Sequence, residues 1–462
     1  MNTSIQYIVY FIMALLALSS CNVTKEYQQP TFSRSDLYRD MDTADSNSLA
    51  QVPWEEVFTD PVLQDLIREG LSANFDLQIA TARIQRSEAY LLQQKGTLLP
   101  KVNALASAAV AELAGAPSAA SGFAAQQYQL YTSASWEADI WKKLRSAKKA
   151  ALADLLASEA YRRTVQTRLI ADIANNYYTL LALDRQLEVT EQTIAARGKY
   201  VETVQYLKDA ATVTGADVMQ SRANLHAAEV LIPDIKQRIR EIENSLSILL
   251  ARSPQKIERN ALEDQEPREL LETGVPSQLL SNRPDVQEAE LAFRSAFELV
   301  NSARAYFYPT VTLTGAAGFG TTQISDLFDP TSVFANFAAG ILQPIFNQHA
   351  NEARLKANQA IQAEAFANFE QTLLLAGEEV SNALYAYQMA EDKISIRKTQ
   401  LETLQNAVSF NQELLQYGSA SYVDVLTSEQ NLLSAQLNGV NDQLQKLLSI
   451  VELYRALGGG WQ

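Results

Sequence analysis

Two periodicities take turns along the chain. At Leu169, Ile173, Asn176, Leu180, Leu183, Leu187, Thr190 and Ile194 the steps alternate between four and three residues, and the same rhythm returns at Phe366, Phe369, Leu373, Ala376, Val380, Ala383 and Tyr387. This spacing places one stripe along a helix and predicts a coiled-coil-like seam. No proline interrupts 142–211 or 347–417, so each stretch can run as about 70 residues of helix, about 105 Å at 1.5 Å per residue. Shorter helices are predicted over 62–99 and 216–251, with a kink at Pro233 in the second. Two short helices end to end beside one long one, repeated, would make a tall bundle of four columns.

At two prolines the period changes from helical to strand-like. After Pro309, Val311, Leu313, Gly315, Ala317 and Phe319 fall on one side of a strand, and Thr310, Thr312, Thr314, Ala316, Gly318 and Gly320 on the other. In a second stretch, Tyr128, Leu130, Ala134 and Trp136 alternate with Gln127, Gln129, Tyr131, Ser133, Ser135 and Glu137. Strands are predicted at 102–110, 127–137, 310–320 and 334–343, joined in pairs by loops rich in Ala, Ser, Gly, Asp and Thr at 111–126 and 321–333. About ten alternating residues suit a β-strand facing lipid on one side and water on the other. A small soluble sheet covered by the helices is the alternative. Four strands cannot close a barrel, and open edges in lipid leave backbone groups unpaired at several kcal/mol each. A membrane sheet would therefore be completed by further copies of the chain around an aqueous pore.

The unit is written twice, at a period of roughly 207 residues. "FDLQIATARI" from Phe75 aligns with "PDVQEAELAF" from Pro284, and Pro100 with Pro309. "GADVMQSRANLHAAE" from Gly215 aligns with "YVDVLTSEQNLLSAQ" from Tyr422, which matches Asp217 to Asp424 and Asn224 to Asn431. The predicted organisation is a signal peptide (1–20), an N-terminal segment (21–61), a first repeat (62–251), a connecting segment (252–283), a second repeat (284–457) and a short tail (458–462). The fold class is mainly α with a small β part.

Composition narrows the function. Mean hydropathy is −0.14 and no internal run of eighteen apolar residues exists, which excludes a helical membrane protein. The net charge of −15 argues against nucleic acid as a partner. The apolar stretch Ile8 to Leu18 has the length of a secretory signal, although its leading "MNTSIQY" carries no Lys or Arg. "LSSC" ending at Cys21 resembles a bacterial lipobox. That resemblance implies cleavage before Cys21, a thioether lipid on its sulfur and an acylated amino group, several chains together giving stable anchoring. The alternative is an ordinary signal peptide with an incidental cysteine. Cys21 is the one cysteine, so the chain cannot build a disulfide or a thiolate metal site within itself.

The duplicated layout, "NRPDV" at Asn282 to Val286, "YFYPTVTLTG" at the helix-to-strand change, "ADVMQSRANL", "VDVLTSEQNL" and the lipobox together resemble the TolC-like outer-membrane factors, specifically the lipoprotein branch serving resistance-nodulation-division pumps. The resemblance covers essentially the whole mature chain. It implies a homotrimer whose twelve strands form one outer-membrane barrel, continued into the periplasm by a helical tunnel. It also implies a periplasmic adaptor, an inner-membrane pump, passive efflux of small molecules, and no cofactor beyond the lipid on Cys21. The aperture would lie at the helical turns 207–218 and 414–425, with Asp217 and Asp424 at the family's acidic positions. An arginine that some members carry before the second aspartate is replaced here by "GSAS" (418–421), and the next acidic position is Thr427. This departure leaves open which residues hold the aperture shut.

Other motifs carry less. His226 and His349 lie far apart in helical patterns and read as ordinary helix-face or helix-start residues. Glu55–Glu56 and Glu378–Glu379 are adjacent pairs that do not share a helix face and read as solvated surface. No phosphate loop, nucleophile elbow or H-E-x-x-H motif is present, and the chain reads as a non-enzyme. Asp217 and Asp424 also suit helix caps. Trp136 and Trp141 bracket a strand-to-helix change, as either an interfacial girdle or junction packing would require. Two other functions remain: an exit duct for protein secretion, and a lipid-tethered periplasmic coiled-coil scaffold without a pore.

Overall fold

Each predicted periodicity becomes the expected element in a computed structural model, which describes residues 23–30, 49–112, 124–265 and 279–461. The signal stretch and Cys21 lie outside the described residues, as do most of the predicted loop 111–126 and residues 266–278 of the connecting segment. The elements are α1 (Pro61–Ala73), α2 (Phe75–Gly96), β1 (Lys101–Glu112), β2 (Ala124–Ala138), α3 (Lys143–Asp209), α4 (Gly215–Glu229) and α5 (Leu231–Leu249). The second repeat supplies α6 (Pro284–Ala305), β3 (Thr310–Thr321), β4 (Val333–Leu342), α7 (Ala350–Gln416) and α8 (Tyr422–Leu457). The two long helices, α3 and α7, are both 67 residues, about 100 Å of helix.

Two predicted helices are each divided. The stretch 62–99 breaks at Asn74, whose side chain caps α2 by accepting from Asp76 N (2.8 Å) and Leu77 N (3.2 Å) while donating to the Leu249 carbonyl (2.9 Å). The stretch 216–251 breaks at Val230 rather than at Pro233. Proline has no N–H to return to the carbonyl four residues back, so the break falls one turn upstream of it. The matching stretch of the second repeat has no proline and runs unbroken as α8.

The chain divides into two units. The first comprises 1–31, 83–159 and 288–369 and contains the sheet, antiparallel in the order β1-β2-β3-β4. Its register aligns the predicted faces across all strands. Leu130 sits opposite Ala106 and Phe319, Trp136 opposite Leu313, Gly315 opposite Phe337, and Val311 opposite Ile341. The other face carries Asn103, Ser107, Gln129, Ser133, Ser135, Thr312, Thr314 and Asn336. One row on this polar face is different: Leu105, Tyr131, Gly318 and Phe334 are cross-strand neighbours. A Cβ on Gly318 would come within 2.2 Å of the Leu130 carbonyl, and its absence leaves room for the Tyr131 and Phe334 rings to meet at 5.8 Å.

Apart from the Phe328 ring of the β3–β4 loop, which meets Phe319 at 5.6 Å, the apolar face is largely open: Val102 is 63 %, Phe337 75 % and Ile341 76 % exposed. That exposure disfavours a soluble sheet covered by helices. Trp136 donates through Nε1 to the Leu98 carbonyl (3.0 Å), and Trp141 to the Pro309 carbonyl (2.8 Å) while resting 4.9 Å from the Tyr308 ring. Both tryptophans thus stitch the strand-to-helix junctions. The N-terminal segment is clipped to α6, where Asn301 accepts from Lys25 N (3.0 Å) and donates to the Lys25 carbonyl (2.9 Å).

The second unit, 32–82, 160–287 and 370–462, carries the main buried stripe. Leu169, Ile173, Leu180, Leu183 and Thr190 are buried as predicted, with Asn176, Leu187 and Ile194 half-buried; Ile170, Ala174, Tyr177 and Leu181 are buried too, so α3 is covered on more than one seam. Asp60 ties this core together. It accepts from Tyr177 Oη (2.6 Å), Val62 N (2.8 Å), Asn260 Nδ2 (2.9 Å) and Gln265 Nε2 (2.8 Å).

"NRPDV" builds a second hub here. Arg283, 4 % exposed, forks onto Asp285, reaches Glu379 Oε2 (2.6 Å) and caps the Ala456 carbonyl (3.0 Å). Burial pushes the Asp285 carboxyl up, but the Arg283 fork outweighs it and holds the group below its usual range. The solvated-surface reading of Glu379 is therefore corrected. Glu378 is exposed, while Glu379 pairs with both Arg283 and Arg455 (3.2 Å), because only one residue of an adjacent pair faces the neighbouring elements.

With the apolar face toward lipid, Leu313→Arg is expected to cost about 2–4 kcal/mol near the bilayer midplane. Thr312→Arg, on the opposite face, should be mild. Heat denaturation of the detergent-purified protein compares them, and equal losses would contradict a one-sided sheet.

Candidate functional site

The two helical turns are built from the same local parts. α3 ends where Ala211 takes a left-handed backbone (φ 59°), with Thr212 N bonded to the Leu207 carbonyl (2.8 Å) and Ala211 N to the Lys208 carbonyl (2.9 Å). α7 ends the same way at Gly418 (φ 69°), with Ser419 N on the Leu414 carbonyl (2.9 Å). Left-handed backbone is unstrained for glycine and costs a residue with a Cβ about 1–2 kcal/mol. Gly215, within the predicted turn stretch 207–218, opens α4, and the left-handed position of that turn falls on Ala211.

Asp217 and Asp424 occupy equivalent places in two capping boxes. Thr214 Oγ1 donates to Asp217 Oδ2 (2.7 Å) and accepts from Asp217 N (3.4 Å), while Thr214 N donates to the same carboxylate (2.8 Å). Ser421 and Asp424 repeat this at 2.7, 3.3 and 2.9 Å. Each box satisfies two orphan amides at a helix start, where the dipole also favours a negative charge. The Ser421 hydroxyl, then its amide, hold the Asp424 carboxyl below the usual range, so it is charged at neutral pH, and its side chain is exposed. Capping leaves the carboxylates free to face solvent as well.

What joins one turn to the other is a set of residues that periodicity did not single out. Val204 and Val218 of the first hairpin (α3–α4) pack with Leu415, Tyr422 and Val425 of the second (α7–α8) in a buried cluster. The Tyr200 and Tyr422 rings stack at 6.0 Å and 16°. Asn224 Nδ2 donates to Tyr422 Oη (3.4 Å), and the Asn224 carbonyl accepts from Arg197 Nη1 (2.8 Å). The inter-hairpin link is thus largely aromatic and uncharged. Asn224 and Val218 had a sequence signal, since both stand in the duplicated "DVMQSRANL"; Arg197, Tyr200 and Glu429 do not match across the copies and had none.

His226 and His349 are exposed, each near a glutamate three residues on, Glu229 (2.7 Å) and Glu352 (3.1 Å). Among the described residues, no group of three or more His, Cys, Asp or Glu could hold a metal ion. No described helix is long and apolar enough to cross a membrane.

Comparison with known proteins agrees over nearly the full length. Residues 66–252 and 275–459 match the family described as Outer membrane efflux protein, so the family model is met twice along the chain. The solvent efflux pump outer membrane protein SrpC of Pseudomonas putida is 30 % identical, covering 97 % of this chain and 97 % of SrpC. The probable efflux pump outer membrane protein TtgC of Pseudomonas putida is 29 % identical over 96 % of this chain and 93 % of its own. The solved outer-membrane channel OprN superposes with a TM-score of 0.88 at 25 % identity, covering 96 % of this chain and 100 % of that one. With both repeats, the two-faced sheet and the paired capped hairpins accounted for, the chain belongs to the outer membrane efflux protein family and is a TolC-like outer-membrane efflux channel.

Proposed function

We propose that three copies of this chain form one exit duct, which a periplasmic adaptor connects to an inner-membrane pump so that small molecules leave the cell passively. The observation that carries this reading is the sheet: one uncovered apolar face, one polar face, and outer edges of β1 and β4 with no strand partner among the described residues. Such edges are too costly in lipid unless another copy continues the ladder. The long helices α3 and α7, which follow β2 and β4, supply walls for a periplasmic passage in this reading. That SrpC is named for solvent efflux supports small molecules over proteins as cargo. Cys21 carries the lipid anchor in this reading, and Asp217 and Asp424 line the narrow end.

Purified in detergent, the protein is expected to have the mass of three copies and to conduct in planar bilayers; a non-conducting monomer would overturn the proposal. Three copies of Asp424 around the narrow end would concentrate negative charge and favour cations. Asp424→Asn keeps the size and should reduce cation selectivity with little change in resting conductance. Asp424→Ala should lower selectivity and raise conductance together. Reversal potentials in a salt gradient read the charge effect, and no shift in either variant would leave Asp424 as a helix cap alone.

Cys21→Ser removes the only thiol, so labelling with a radioactive fatty acid should be lost while the trimer persists. Label retained in the serine variant would refute lipidation at Cys21.

A further inference from the structure

Between α3, α7 and α8 lies a cavity of about 200 Å³, lined in part by Val189, Arg197, Val408, Gln412, Glu429 and Leu432. Two opposite charges face each other there without touching. Arg197 is 6 % exposed; its Nη1 is committed to the Asn224 carbonyl, and its Nε has no acceptor. Glu429 is half-buried and accepts one hydrogen bond among the described residues, from Gln412 Nε2 (3.0 Å). A carboxylate has room for about four such bonds. Nearby, the buried Tyr200 hydroxyl also lacks a partner. The seam between the hairpins is well packed at Val204, Val218 and Val425 and under-bonded here.

We propose that Glu429 is a positioning residue for the gate: an under-bonded carboxylate held in the seam, which weakens the closed arrangement of the two hairpins and regains water when they part. The proposal goes beyond the exit-duct reading and draws on it only for where the hairpins stand in the channel. A buried charge without full hydrogen bonding is unfavourable where it sits, and Arg197 offsets that only from across the cavity.

The direction of the pH response follows. Burial is the largest influence on Glu429 and pushes its carboxyl up; the Gln412 hydrogen bond and the Arg197 charge bring it back only in part. The titratable and charged groups facing it are Arg197 and Tyr200 from α3 and Tyr422 from α8, while α7 presents Gln412. Burial pushes both phenols up, so they stay neutral around pH 7. In parted hairpins the carboxyl is hydrated and returns to its ordinary range. The closed seam therefore holds the proton more tightly. Its extra stability is full below the ordinary carboxylate range and is lost as pH rises through the raised value.

The test uses the full-length protein in detergent, with Val408→Cys on the cavity wall, in the presence and absence of Glu429→Gln. Glutamine mimics the neutral carboxyl. Maleimide labelling is followed from about pH 4 to about pH 7.5, and the protein without Val408→Cys supplies any background from Cys21. The ratio of the rates with Glu429 and with Gln cancels the titration of the thiol itself. We expect a ratio near unity at the acid end and a several-fold excess for Glu429 at neutrality; a ratio that does not change with pH overturns the proposal. Leu432→Cys, on α8, repeats the measurement should Val408→Cys fail to fold. In bilayers, resting conductance should fall on acidification with Glu429 and stay low throughout with Gln. A pH-dependent labelling ratio in a protein that never conducts would uphold the seam and refute the duct, whereas conduction with a flat ratio would do the reverse.

Discussion

A strand at the edge of a sheet has a row of N–H and C=O groups that must bond to something, and hydrocarbon offers nothing. In this protein that requirement falls on β1 and β4, the two outer strands of a sheet whose one face is apolar from Val102 to Ile341. At several kcal/mol for each unpaired group, a few exposed bonds would outweigh the net stability of a typical domain. The sheet would be stable in a membrane only as part of a closed ring, so in the proposed duct further copies of the chain are a condition of the fold rather than an addition to it. Junction contacts then hold the strands to the helices, with Trp136 and Trp141 bonding to the chain just before β1 and β3.

Duplication supplies two hairpins of the same shape, and the seam between them adds, to the matched Val218 and Val425, residues that the copies do not share. Asp217 and Asp424 keep identical capping roles, and Ser221 and Ser428 both bond back to the carbonyl three residues before, on Val218 and Val425. Those interactions are internal to each hairpin. Between hairpins, Arg197 and Tyr200 come from the first copy, and Tyr422 and Glu429 from the second. The residue aligned with Glu429 in the first copy is Arg222, which is exposed. A packed contact between two related elements needs complementary partners, so the copies had to diverge at the seam while their caps stayed alike.

The polar hubs serve a different end. Asp60 and Arg283 are nearly inaccessible and are satisfied from several directions, by residues from separate parts of the sequence. Leaving one partner out would strand a buried charge, which costs more than the pair contributes when complete. They fix the geometry of the second unit around α3 and α8.

What the sequence determined alone was everything that depends on near neighbours. The 4-3 stripe, the two-residue alternation and the absence of proline specified the long helices and the faces of the strands, because helix and strand repeats are properties of consecutive residues. Asp217 and Asp424 were legible as acids that accept amide bonds at a helix start because a capping box spans only four residues. The Asn74 break carried a signal of the same kind, an asparagine directly before a helical run, which the reading of 62–99 as one helix passed over. Tertiary structure decided what joins residues far apart in the sequence: Glu379 with Arg283, Tyr200 with Tyr422, and Arg197 across a cavity from Glu429. No periodicity encodes such pairs, since a half-polar helix face reads the same whether it meets water or a partner. Only the packing of one hairpin on the other distinguishes an exposed glutamate from one held in a seam.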